Sequence, residues 1–181
     1  MTALQNLEGT FSADPAHSRI GFSVRHMMVS KVRGEFNDYS VTANFAQNAK
    51  PQVEVTIEAE SVDTGNADRD THLKQEDFFG SEQFPQIRFV TTDVTPVDED
   101  TVKVSGELTI RETTKPVTLD MEVGGVLVDP YGLQRVGLEG KTSIKRSEYG
   151  VSFNAAMETG GVVVSDKVDL EIELALVKPA N

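Results

Sequence analysis

Alternation with a period of two residues runs through most of the chain, and it confines the fold to strands that bury one face and wet the other. In VDLEIELALVK, Val168, Leu170, Ile172, Leu174 and Leu176 share one face, while Asp169, Glu171 and Glu173 share the other. Val53, Val55, Ile57 and Ala59 form a second apolar set, and Val102, Val104, Gly106, Leu108 and Ile110 a third. Val117, Leu119, Met121 and Val123 follow, then a weaker series of Val136, Leu138, Gly140, Thr142 and Ile144. Ile20, Phe22 and Val24, then Tyr39, Val41, Ala43 and Phe45, and finally Ile87 and Phe89 complete about eight strands. With no Trp in the chain, the core rests on Val, Leu, Ile and Phe.

Short turn signals at ETTKP, DPYG and SEYG separate several of these strands, and no long helical crossover is available for a parallel sheet. An antiparallel β-barrel or sandwich is therefore expected. One segment, 61–86, is too long for a hairpin loop. Asn66 can cap a helix whose first turn carries Asp68 and Asp70, and Gly80 can end it, which predicts a helix at roughly 67–79. No repeat or linker divides the 181 residues, so 1–181 reads as a single all-β domain with a helical insertion.

Composition narrows function by exclusion. The 17 Lys and Arg against 29 Asp and Glu give a net charge of −12, which opposes nucleic-acid binding and general adsorption to anionic membranes. Without Cys there are no disulfides, thiolate nucleophiles or Cys-ligated metals. No stretch is apolar enough for stable membrane insertion, and the start has neither a basic residue before Arg19 nor a signal-like apolar run. A cytoplasmic location is the resulting expectation.

Sites for chemistry are few. The three His, His17, His26 and His72, lack zinc-ligand spacing, so no metal is expected, and neither a nucleophile elbow nor a phosphate-binding glycine loop occurs. No cofactor is implied. His26 falls in phase with Ile20, Phe22 and Val24 and so belongs to the apolar side. Two basic groups run against the acidic whole. Residues 15–34 carry Arg19, Arg25, Lys31 and Arg33 with no Asp or Glu, and the predicted helix carries Arg69, His72 and Lys74. Such groups suit an anionic head group at a barrel mouth, or equally salt bridges to the surplus acids. The small residues Ala43, Ala59, Gly106, Gly140 and Thr142 likewise fit either an open lumen or ordinary packing, with Gly106 marking a close backbone approach.

The strings DPAHSRIGFSVRHMMVSKVRGEF, VDTGNADRDTHLKQEDFFGSEQFPQIRF, SGELTIRETTKPVTL and KRSEYGV resemble the YceI-like family, in the family's order, from about Phe11 to Lys178. The resemblance implies a lipocalin-like antiparallel β-barrel with a helical insertion at its wall or mouth. It further implies a carrier that holds a long amphipathic isoprenoid lipid in the lumen, with a quinone or a prenyl diphosphate as candidate ligands and a homodimer as the assembly. It transfers no catalytic residues. A small-molecule enzyme using His26 or His72 as acid or base is the alternative.

On the carrier reading, Phe22, Val24, Phe36, Phe45, Ile57, Phe89, Leu108, Met121 and Leu138 line the lumen, with His26 and Met28 toward one end. Arg69 and His72, three residues apart, share a helix face and are the preferred head-group site, while Lys74 points elsewhere.

Overall fold

The computed structural model describes residues 3–151 and 164–178. The strands are β1 (Gly9–Ala13), β2 (Arg19–His26), β3 (Ser30–Phe36), β4 (Tyr39–Phe45), β5 (Gln52–Glu58) and β6 (Val62–Asp63). After a helix, α1 (Ala67–Leu73), come β7 (Gln86–Pro96), β8 (Thr101–Ile110), β9 (Thr113–Val128), β10 (Gln134–Lys145) and β11 (Val164–Lys178). Every pairing is antiparallel, and the hydrogen-bonded ring β1-β4-β5-β7-β8-β9-β10-β11 closes through β1 and β11. The wall is thus a closed eight-stranded barrel, which leaves the ring with no free edge.

The three remaining strands prolong members of that ring. The lower end of β11 pairs with β1 at Val177 and Leu176, and its upper end pairs with β2 from Glu173 to Val164. Between these two zones the Asp14 amide donates to the Ala175 carbonyl (2.8 Å) and the Ala175 amide to Ser18 Oγ (3.0 Å). Residues 14–18 therefore kink one continuous stave, β1–β2, against β11. A second stave, β3–β4, bends at 37–38, and a third, β5–β6, at the 3-10 turn Ala59–Ser61. The Asn37 amide donates to the Ser61 carbonyl (3.1 Å) and the Glu58 amide to the Asp38 carbonyl (2.9 Å), locking these two bends together.

Alternation puts the apolar phase of each strand inside, where two clusters form. The lower one contains Phe11, Val41, Phe45, Val94, Val102, Val136 and Leu176, and is floored by Leu4 and Leu7 beside a short 3-10 turn, Ala3–Asn6. The upper one contains Ile20, Phe36, Ile57, Phe78, Ile87, Leu108, Ile110 and Tyr149. No helix among the described residues is long and apolar enough to cross a membrane.

Helix α1 begins where expected, with Asn66 Oδ1 accepting from the Arg69 amide (3.0 Å), but it stops at Leu73 and does not extend to 79. Phe78 is buried, and Phe79 packs its ring edge-on against Phe36. Consecutive positions on an α-helix diverge by about 100°, so a continuing helix could not turn both rings inward. The chain instead coils through Phe79 N–H to Leu73 O (3.0 Å) and Gly80 N–H to Gln75 O (2.8 Å), with Gly80 at φ 56°. Arg111, in the β8–β9 turn, donates to the carbonyls of Glu76 (2.5 Å) and Phe78 (2.8 Å) and stacks over Phe84, which satisfies two backbone oxygens of this coil.

A lumen with one cationic end

The barrel encloses a cavity of about 380 Å3. Its wall is almost wholly aliphatic and aromatic, drawn from the inward phase of β2–β5 and β7–β11, with Leu4 at the floor and Leu73, Phe78 and Phe79 of the insertion at the top. A volume of this size falls within the range of small-molecule sites.

Phe22, Val24, Phe36, Phe45, Ile57, Phe89, Leu108, Met121 and Leu138 all line this cavity, as do His26, Arg69 and His72. Met28 does not. It sits at the tip of the β2–β3 hairpin with φ 62° and is 60% exposed, because the turn at Met27 breaks the parity that carries Phe22, Val24 and His26 inward. Gly106 and Gly140 leave no open space either. A Cβ on Gly106 would lie 2.5 Å from the Phe89 ring and 2.6 Å from the Val90 carbonyl, and one on Gly140 would collide with Met121 Sδ. At both positions a neighbour's large side chain occupies the room, so these are close-packing glycines, whereas Thr142 does reach the lumen.

The polar lining is lopsided. His26 ends β2, Arg69 and His72 lie on α1, and Arg146 follows β10; all four belong to the upper end of the barrel. No Asp, Glu or Lys among the described residues lines the cavity. Arg69 is anchored from within the insertion, donating from Nε to Thr64 Oγ1 (2.7 Å) and from Nη2 to the Thr64 carbonyl (2.9 Å). His72 Nε2 bonds Asp77 Oδ2 (2.9 Å), and its ring meets Phe78 edge-on with centroids 4.9 Å apart. Lys74 lies outside this group, 4.0 Å from Glu60, and Arg25, Lys31 and Arg33 occupy the outer face.

Arg146 is the residue that sequence reasoning passed over. It is 7% exposed, and its guanidinium donates to the carbonyls of Ser165 (2.9 Å), Val151 (2.8 Å) and Val164 (3.1 Å). These bonds use three of its five N–H groups, and among the described residues no carboxylate forms an ion pair with it. Burial pulls its pKa below the ordinary arginine value, and the field of Asp166 opposes that shift. Asp166 itself is occupied by the amide and hydroxyl of Ser147. A buried guanidinium is costly to desolvate, so the upper lumen favours a ligand group that accepts hydrogen bonds or carries negative charge. Strand parity was the signal: Ile144 faces in and Lys145 out, so position 146 turns in again.

Among the described residues no three His, Asp or Glu side chains converge as metal ligands. A family model, the YceI-like domain, matches residues 11–176. The chain belongs to the YceI-like family. Among YceI-like relatives, a Staphylococcus aureus (strain USA300) protein named UPF0312 is 40% identical over 164 residues, which is 89% of this chain and 93% of the relative. The solved Campylobacter jejuni YCEI protein is 33% identical with a TM-score of 0.73, covering 86% of this chain and 90% of that one. A structure described as a polyisoprenoid binding domain from Saccharophagus degradans shares the YceI-like fold at a TM-score of 0.71 and 16% identity, covering 96% of this chain and all of that one.

Proposed function

We propose that the protein is a carrier that holds an amphipathic lipid with a long isoprenoid-type tail in the barrel, head group uppermost. One observation carries the reading: the lumen is apolar for nearly its whole length, and its charged and ionisable side chains, His26, Arg69, His72 and Arg146, gather at one end. Burying apolar tail surface contributes about 25 cal/mol per Å2 before ordering costs, so the wall supplies affinity without specific contacts. Met121 adds an adaptable surface for a chain of no fixed shape. The polyisoprenoid-binding description of the Saccharophagus neighbour supports the same tail class. Buried Arg146, which no carboxylate among the described residues ion-pairs, favours a prenyl diphosphate over a quinone, since a phosphate accepts charge-assisted bonds that a ketone oxygen makes more weakly.

The test is solvent extraction of the purified protein followed by mass spectrometry, repeated on Leu108→Trp, which fills the upper part of the lumen. A stoichiometric isoprenoid in the wild type that disappears from the folded variant is expected. An empty wild-type barrel that also takes up no added prenyl lipid overturns the carrier reading. For the head, binding of a prenyl diphosphate and of the matching alcohol is compared across salt concentrations in the wild type and in the double variant Arg69→Ala, His72→Ala. Loss of the diphosphate's advantage in the variant is expected; equal binding of both ligands to both proteins at every salt concentration removes the anion site.

A further inference from the structure

The net charge of −12 is unevenly spread over the outer wall. At the upper end Lys145 stands directly opposite Lys167 across β10 and β11, and Arg25 directly opposite Lys31 across β2 and β3. Arg33 is the next outward position of β3, and β11 pairs with β2, so five exposed cations cover four contiguous strands. Like charges directly opposed weaken a sheet, and this wall carries two such pairs side by side. Of the carboxylates near them, Asp169 accepts from Ser143 Oγ (2.7 Å) and lies 3.8 Å from Lys167, Asp166 turns to Ser147, and Glu148, three residues after Lys145, is exposed. Glu35 and Glu171 lie lower on the face and flank Arg19.

The hairpin that bears Arg25 and Lys31 ends in three exposed apolar residues, Met27, Met28 and Val29, at 46%, 60% and 82% exposure. Met27 and Met28 both hold left-handed backbone, φ 51° and 62°, an uncommon conformation for residues other than glycine. The opposite end of the barrel carries an acidic rim of Asp98, Glu99, Asp100, Glu122, Glu139 and Glu173.

We propose that the β2–β3 hairpin docks the protein on an anionic lipid bilayer, with Met27–Val29 inserted at the interface and the five cations facing lipid phosphates. A bilayer offers both features in the order in which the hairpin meets them, an apolar layer beneath a negative surface. Arg25 and Lys31 stand two to three residues behind the tip, about 7–10 Å at strand rise, which matches the depth of interfacial insertion. The acidic rim then points away from the membrane, well beyond the ~8 Å screening length at physiological salt. This docking is independent of what the lumen holds, so its failure leaves the carrier reading standing.

The test is flotation of the full chain with vesicles of phosphatidylcholine mixed with phosphatidylglycerol, against vesicles of phosphatidylcholine alone. The wild type is expected to float with the mixed vesicles only and to be released at high salt. Lys31→Glu changes two charge units and lowers partitioning roughly thirtyfold. Met28→Asp weakens it similarly, and Lys103→Glu, on β8, leaves it within about twofold. Absence of binding to the mixed vesicles, equal binding to both compositions, or indifference to Lys31→Glu overturns the proposal. So does self-association that Met28→Asp abolishes while vesicles bind nothing, since the occupant of the tip is then a second copy of the chain.

Discussion

The rings of Phe36 and Phe79 meet edge-on with centroids 5.7 Å apart, and this contact fastens the insertion to the barrel wall. Phe36 also touches Phe22 at 5.6 Å, so a row of three rings runs from the lumen wall into the segment that covers it. Phe79→Ala removes the outermost ring. Because Phe79 is only partly buried, the expected cost is about 1–2 kcal/mol, below that of a fully buried Phe. Hydrogen exchange should quicken in residues 64–85 before it quickens in β8 and β9; uniform acceleration would show that the ring does not hold the insertion specifically.

Arg146→Ala should be among the more damaging substitutions of a charged side chain. It leaves the carbonyls of Val151, Val164 and Ser165 without their charged donor, at a cost of about 3 kcal/mol. Arg146→Lys keeps the charge but lacks the planar fork, so it should recover only part of the loss. Urea midpoints of the three proteins check the order, and a lysine variant as stable as the wild type would contradict it.

Gly106→Ala tests the close approach between β7 and β8. Phe89 can swing aside, but the Val90 carbonyl, 2.6 Å from the added methyl, belongs to the paired backbone. A loss of about 1–3 kcal/mol is expected in denaturant unfolding. The displaced Phe89 should also narrow the lumen and reduce bound lipid in the folded fraction.

Acid should unfold the protein through its paired carboxylates. Asp14 accepts from His17 Nδ1 (2.8 Å), Arg135 Nη1 (3.0 Å) and the Ala16 amide (3.0 Å), which hold its carboxyl at about 2 against an ordinary 3.8. A depressed value means that the ionised form favours the fold. That contribution is present above the ordinary value and is lost as pH falls from about 4 through about 2. Asp129, bonded to the same Arg135, is lowered as well. Melting temperatures of wild type and Asp14→Asn should differ at neutral pH and converge near pH 2; a constant gap across that range would refute the assignment.

Alternation made the inward phase legible, because parity along a strand survives any arrangement of its neighbours. For that reason residues as far apart as Phe22 and Leu138 line one cavity. Where parity breaks, local reading fails: Met28 lies past a turn, and the second half of the expected helix gives way to two adjacent rings that both face inward. The kinks at 14–18, 37–38 and Ala59–Ser61 depend on partners elsewhere in the chain, Ala175 among them, and carry no local signature. Strand β3 alternates at Val32, Gly34 and Phe36, but only Val32 and Phe36 are large and apolar, so its inward phase is a weak signal beside its basic outward one. Phe11, fully buried in the short β1, stands alone between polar neighbours and gave no period to follow.

Leu4 and Leu7 shut the lower end of the barrel, so the tube is blind. On the proposed carrier reading, a tail threaded from the upper end would be measured against a fixed stop, and each added prenyl unit would push its head outward by one increment. On that reading the blind tube is a ruler: chains that are too short would leave their heads beneath the reach of Arg146, and chains that are too long would lift them past it.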